Sequence, residues 1–200
     1  MIIIGYQGIG KSTLSNKDVN YIDLESSNFW IDGKRADDWY KPYCKIAEHL
    51  SRQGYRVFVS SHVCVRNTLK DSNEQVICCV PAVNLKERWI DRLKKRYESD
   101  QSDKNYKAYM NAVDRYEDNI REIAASGFPT VTLDSMEYDL DEQISRFDYV
   151  GIYDYIQGCK LYPDGTIRDA EGKIAGGVDM DSETWKEIFN GRTEAISFHN

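Results

Sequence analysis

No pair of cysteines in this chain stands at C-x-x-C spacing. The five that occur, Cys44, Cys64, Cys78, Cys79 and Cys159, are odd in number. Neither a zinc site nor a dithiol redox motif is therefore expected, and they read as reduced, mostly buried thiols. No run of about 18 apolar residues occurs, which excludes a membrane-spanning helix. Positive charge is not in excess either: 26 basic against 33 acidic side chains leave a net charge of −7, the wrong sign for a general nucleic-acid binder. A small anionic ligand in a local basic pocket stays allowed. Internal repeats and low-complexity tracts are also missing. What is present excludes disorder for most of the chain, since 200 residues at 41% hydrophobic and 30% charged composition suffice for a globular domain with a real core. Met1-Ile2-Ile3-Ile4 runs straight into a glycine motif, so no secretory leader and a cytoplasmic location are expected.

Short β-branched runs alternate with longer helical patterns over the first three quarters, the signature of βα units around a parallel sheet. About five strands are expected: Ile2 to Gly5, Val19 to Leu24, Arg56 to Ser60, Gln75 to Val80 and Thr130 to Leu133. Between them, Trp39, Tyr43, Ile46, Ala47 and Leu50 repeat at helical spacing and Gly54 is placed to end that helix. Asn84 can cap the next, in which Leu85, Trp89, Leu93 and Tyr97 recur every fourth residue. A third runs from Asp103 to Ser126 with Tyr106, Met110, Val113, Ile120 and Ile123 on one face, stopped by Gly127 and Pro129. A strand and a short helix, Leu140 to Phe147, complete a unit spanning 1–147. Residues 148–200 differ in character, with 5 basic and 10 acidic side chains against 21 and 23 before them. Turn signals at Tyr162 to Thr166 and Glu171 to Lys173 predict a small β-meander, followed by a helix through Trp185, Ile188 and Phe189. This appendage can cap the site, form a homodimer contact or recruit a partner. Clustered acids at Asp179 to Glu183 lack the other positions of a calcium loop and read as helix caps.

One motif carries chemistry. Gly5-Tyr6-Gln7-Gly8-Ile9-Gly10-Lys11-Ser12 matches G-x-x-x-x-G-K-[ST], directly after an apolar strand and at the start of a helix. Glycines let the backbone curl so that successive N–H groups point at phosphate oxygens. Lys11 brings a mobile positive charge to the β- and γ-phosphates, and Ser12 offers a hydroxyl to Mg²⁺. Gly5, Gly8, Ile9, Gly10, Lys11, Ser12 and Thr13 are thus the candidate nucleotide contacts. A plain glycine turn with a lysine at its cap is the bland alternative.

On these residues the first 147 positions resemble the P-loop kinases of small molecules, which include nucleoside monophosphate, shikimate and gluconate kinases. The resemblance implies a three-layer α/β fold with a parallel sheet in the order 2-3-1-4-5, ATP as donor and a mobile basic lid. Asp23 and Glu25, in Tyr21-Ile22-Asp23-Leu24-Glu25, look like the D-x-D or D-x-[DE] element that some of these kinases carry near the loop. Asp23 would orient the acceptor or a water on Mg²⁺, or act as base; capping the following segment is its alternative role. The brief stretch from Ser12 to Val19 departs from the family by leaving a short first helix. So does Ser60-Ser61-His62, where a carboxylate for the metal is the rule: either Ser12 and waters hold Mg²⁺ with help from Asp23, or Ser60 or Ser61 serves through water. His62 reads as a capping or packing residue, with contact to an acceptor phosphate as its alternative, and Arg66 as the better candidate for that phosphate, with an exposed structural arginine as its alternative.

Six basic residues fall between Lys86 and Arg96, with Arg88, Arg92 and Arg96 on one side of the helix. In the family the lid begins here, and its arginines clamp the transferring phosphoryl group. A solvated face paired with Glu87 and Asp91 is the alternative. Ser99 to Lys104 would be the moving tip. Phe29, Trp30 and Arg35 fall in the stretch that covers the acceptor in nucleotide kinases, as rings for a base and a charge for a phosphate. The expectation is a phosphotransferase that moves the γ-phosphoryl group of ATP to a nucleoside or deoxynucleoside monophosphate. A kinase of another small acceptor and an ATP-binding regulatory protein are the alternatives.

Overall fold

Ile2, Ile3 and Ile4 are wholly buried because β1 (Ile2–Gly5) is the middle strand of a sheet covered on both faces, where an unbroken apolar run is what the environment demands. The computed structural model describes residues 1–31, 34–146, 160–162, 166–168, 171–172, 174–177 and 196–197. Contacts divide the chain into two units, Met1–Ile144 and Ser145–Asn200.

In the first unit β1 is followed by α1 (Lys11–Ser15) and β2 (Tyr21–Asp23). A 3₁₀ turn at Ser26–Phe29 and a two-residue antiparallel pair, β3 (Trp30–Ile31) with β4 (Lys34–Arg35), come next. Then follow α2 (Tyr40–Arg52), β5 (Arg56–Ser60), α3 (Val63–Leu69), β6 (Val76–Pro81), α4 (Lys86–Ser99), α5 (Asp103–Ala124) and β7 (Thr130–Leu133). Residues 140–146 form the last helical segment, α6. The five long-sheet strands are all parallel and run β2-β5-β1-β6-β7. Counted without the β3–β4 pair this is 2-3-1-4-5, the expected order. The expected strands stand with shifts of a residue or two; Val19 drops out of β2 and is 85% exposed.

Two local readings change. Asn84 lies inside a 3₁₀ turn, Val83–Leu85, and α4 starts after it from Leu85 without a side-chain cap. The buried face of α5 is Asn105, Ala112, Tyr116, Ile120 and Ile123, whereas Tyr106 and Val113 are exposed. A break in helical geometry stands at Arg115, with φ −138° and ψ 23°, yet the buried stripe keeps helical spacing across it. Burial pushes the thiols of Cys44 and Cys79 up to about 12, so neither serves as a nucleophile near neutral pH.

The second unit contains a four-stranded antiparallel sheet, β8 (Lys160–Leu161), β9 (Thr166–Arg168), β10 (Ile174–Gly177) and β11 (Ile196–Ser197), ordered β10-β9-β8-β11. The expected helix through Trp185, the acidic run 179–183, Cys159 and the turn residues 163–165 lie outside the described residues. No helix among the described residues is long and apolar enough to cross a membrane.

Candidate functional site

Parallel strands bring all their carboxyl ends to one edge, so Gly5, Asp23 and Ser60 end side by side on β1, β2 and β5. Clefts of open α/β sheets lie outside that edge. The loop after β1 is built around absent side chains. A Cβ at Gly5 would meet Lys11 Cδ at 2.7 Å and Ile9 Cδ1 at 2.8 Å, and Gly8 and Gly10 hold the left-handed φ values of 83° and 95°. Lys11 then folds back over the loop, donating from Nζ to the Gly5 carbonyl at 3.1 Å. Beside it the Ser12 hydroxyl donates to Asp23 Oδ2 at 2.6 Å, so the loop and the end of β2 present a hydroxyl and a carboxylate together.

Lys104, at the start of α5, pairs with Glu25 across the mouth of the cleft. Burial lowers the Lys11 ammonium below the ordinary lysine value; Asp23 and Glu25 work against that shift, while Lys104 and Arg96 add to it. Burial raises the Glu25 carboxyl, but the bond and charge of Lys104, together with Lys11 and the Ser27 backbone, bring it below the ordinary glutamate value. Glu25 is accordingly an ionised partner, not a proton store.

Tyr43 fixes the edge from beneath. Wholly buried on α2, its hydroxyl donates to the Leu24 carbonyl at 2.8 Å and accepts from the Ser60 N–H at 2.8 Å, tying the end of β2 to the end of β5. Burial holds that hydroxyl above the ordinary tyrosine value, so it stays protonated. Tyr43→Phe leaves a half-buried amide and a carbonyl without this partner and is expected to cost about 1–2 kcal/mol. Urea unfolding measures it; an unchanged midpoint would show that water replaces the hydroxyl.

The cleft has a volume of about 870 Å³. Gly5, Gly8, Lys11, Ser12, Asp23 and Glu25 line one part of it, and Arg66 and Arg96 line it as well. Arg66 is buried on α3, with Nη2 3.6 Å from Glu122 Oε2 and with Nη1 lacking a hydrogen-bond partner among the described residues. Glu122 is engaged more closely by Arg115, at 2.6 Å.

Other candidates stand elsewhere. Ile9 is fully buried and packs toward Gly5, and Thr13 is exposed on α1. Phe29 meets Tyr43 edge-on at 5.2 Å. Trp30 and Arg35 pair through their backbones across β3 and β4, and their side chains lie outside the described residues. Arg88 and Arg92 line a separate groove of about 550 Å³ with Asp91, Lys95 and Met136. There Arg92 is engaged with the Met136 carbonyl at 2.8 Å and the Tyr138 hydroxyl at 2.9 Å. Of the three arginines expected in a lid, Arg96 lines the cleft and Arg88 and Arg92 do not. His62 lines it too, with Nδ1 3.0 Å from Ser60 Oγ and its ring edge-on to Trp39.

The expected moving tip is a three-residue turn between α4 and α5. Asn105 closes it by donating to the carbonyl and carboxylate of Asp100, with its own N–H on the Ser102 hydroxyl. Among the residues that sequence reasoning missed, Lys107, Asn111, Arg115, Asn119 and Glu122 share one helix, α5. Their only signal is their recurrence at helical spacing on a face other than the apolar one.

No protein-family model matches the chain, and no curated protein matches it. Among solved structures it is similar to the 1.7 Å crystal structure of shikimate kinase from Bacteroides thetaiotaomicron, with a TM-score of 0.42 and 11% identity over 76% of this chain and 97% of that one.

Proposed function

We propose that the chain is an ATP-dependent phosphotransferase that moves the γ-phosphoryl group to a small anionic acceptor, a nucleoside or deoxynucleoside monophosphate before others. The observation that carries this reading is a single cleft lined both by the Gly5-to-Ser12 loop and by a buried arginine with an unpartnered N–H group. A buried guanidinium held by one long ion pair calls for an anion, and the loop calls for phosphates. Four free thiols among the described residues, three of them buried, suit a cytoplasmic setting.

In this reading the loop amides and Lys11 bind the donor phosphates. The hydroxyl of Ser12 and the carboxylate of Asp23, already 2.6 Å apart, are a donor set that fits Mg²⁺, an ion that keeps several waters and takes one or two carboxylates. Bound there, it would neutralise charge on the phosphates. Arg96 and Lys104 supply further positive charge within the cleft, and Arg66 orients the acceptor through its anion. Glu25 is ionised and paired, so Asp23 is left to orient the acceptor or a water on the metal ion.

ADP release from Mg·ATP, measured with ribo- and deoxynucleoside monophosphates and several sugar acids beside a no-acceptor control, tests the reading. Turnover with a monophosphate, lost in Lys11→Ala, is the expected result. Turnover with a sugar acid alone would replace the acceptor class. ATP binding with no response to any acceptor would leave a nucleotide-binding regulatory protein, for which the absence of a carboxylate at Ser60-Ser61-His62 speaks.

A further inference from the structure

Two successive groups outside the cleft hold the loop by its carbonyl oxygens. The Trp89 indole N–H, from α4, donates to the Gln7 carbonyl at 2.9 Å, and the Tyr138 hydroxyl donates to the Ile9 carbonyl at 3.0 Å. Between them Arg92 Nη1 lies 3.5 Å from the Gly8 carbonyl, a long contact. A trans peptide is planar, with its C=O and the following N–H pointing in opposite directions. Drawing the oxygens of Gln7 and Ile9 outward therefore turns the N–H groups of Gly8 and Gly10 to the other side. Those amides donate to no protein acceptor among the described residues.

The outer donors are themselves ordered. Arg92 Nη1 donates to the Tyr138 hydroxyl at 2.9 Å, so a cation polarises the O–H that reaches Ile9. Arg92 is fixed by the Met136 carbonyl, and its guanidinium lies 4.7 Å from the centre of the Trp89 ring and 5.5 Å from that of Tyr138. The two rings are near-parallel, with centroids 6.4 Å apart. Burial keeps the Tyr138 hydroxyl above the ordinary tyrosine value, with Arg92 opposing, so it remains a donor across the neutral range. On α4 itself the contact is close: a Cβ at Gly8 would come within 3.0 Å of Leu93 Cδ2 and 3.2 Å of Trp89 Nε1.

We propose that Trp89 and Tyr138, the latter polarised by Arg92, are positioning residues that hold the Gly8 and Gly10 amides ready for phosphate oxygens before any ligand arrives. The proposal rests on the nucleotide-binding half of the function above. It gives Arg92 a role through the loop in place of contact with the transferring phosphoryl group. An unbraced loop of glycines would have to order itself on binding, and that cost would fall on affinity.

The test uses the full chain without acceptor. Binding of Mg·ATP and, separately, of inorganic tripolyphosphate is measured by calorimetry for the wild type and Tyr138→Phe, which keeps the ring and deletes only the hydroxyl. Both ligands are expected to bind about fivefold to tenfold more weakly to the variant, the worth of one polarised hydrogen bond. In turnover, the KM for ATP should rise with that for the acceptor unmoved, and the Gly10 amide resonance should shift less on tripolyphosphate binding than in the wild type. A second readout needs no variant: the Trp89 indole proton should move downfield when tripolyphosphate saturates the wild type, because a phosphate on the Gly8 N–H strengthens the bond to the Gln7 carbonyl. Equal affinities in wild type and variant, or an unmoved indole proton, would overturn the proposal. If the wild type binds both ligands yet transfers to no acceptor, the phosphotransferase reading falls and the positioning role stands. A wild type that binds neither ligand defeats both.

Discussion

Replacing Lys11 by methionine is expected to lower acceptor-dependent ADP release by about 10²–10³-fold, the range for losing one preorganised charge-stabilising donor, while making the folded protein more stable. The two effects share a cause. Lys11 is held over the loop with its ammonium on the Gly5 carbonyl, and burial lowers its proton affinity in spite of Asp23 and Glu25. A lysine whose folded value lies below its unfolded value is destabilising while both states are protonated. That penalty is fully present below the folded value. It fades as pH rises through the folded value and is gone above the ordinary lysine value. The stability gap between Lys11→Met and wild type should therefore be widest below the folded value and close as pH rises to the ordinary lysine value. Chemical denaturation of both proteins from neutral to alkaline pH reads it out. A variant less stable than the wild type at neutral pH would mean that the hydrogen bond to Gly5 and the attraction of Asp23 and Glu25 outweigh the burial penalty on the ammonium.

The strands were legible because sheet burial writes itself directly into composition. Ile2 to Gly5, Arg56 to Ser60 and Thr130 to Leu133 match the observed strands end to end. Gly54 ends α2 at φ 93°, as its position after the apolar stripe required. The loop and Asp23 were legible for a different reason: a glycine pattern with fixed spacing constrains the backbone, and a carboxylate at the end of a neighbouring parallel strand has one edge to go to. Reading failed where the outcome depends on helix phase and long-range partners. Arg88, Arg92 and Arg96 recur every fourth residue, yet α4 turns Arg92 to Met136 and Tyr138, and these lie in a segment with no pattern to announce it. In α5 the buried stripe starts at Asn105 and Ala112, one residue before the apolar count placed it, so Tyr106 faces out against Tyr97 while Lys104 and Asn111 come to the cleft. A polar asparagine on the buried face hides that shift from a count of apolar residues.

Replacing Arg66 by methionine should lower kcat/KM for the acceptor on the order of 10²–10³-fold, the scale for removing one side of a desolvated charge pair, with ATP affinity unmoved. Its stability cost should be small, and the reason lies in the partner left behind. Breaking a buried ion pair costs about 3–5 kcal/mol when the surviving charge is orphaned. Glu122 would not be orphaned, because Arg115 holds its other oxygen at 2.6 Å and the pairing with Arg66 is long, 3.6 Å. Arg66 itself loses a buried Nη1 that has no hydrogen-bond partner among the described residues, and methionine fills much of the same volume without that polar group. Function and stability thus separate at this position, as they do not at Tyr43. Arg66→Lys sharpens the test: the charge survives on a slimmer stem but the planar fork is lost, so acceptor kcat/KM should fall about tenfold if the anion is gripped by two N–H groups. Initial rates over a grid of ATP and acceptor concentrations distinguish the cases. Equal losses for ATP and acceptor would place Arg66 in general support of the cleft. A loss confined to the acceptor, graded from lysine to methionine, is what a dedicated anion site requires.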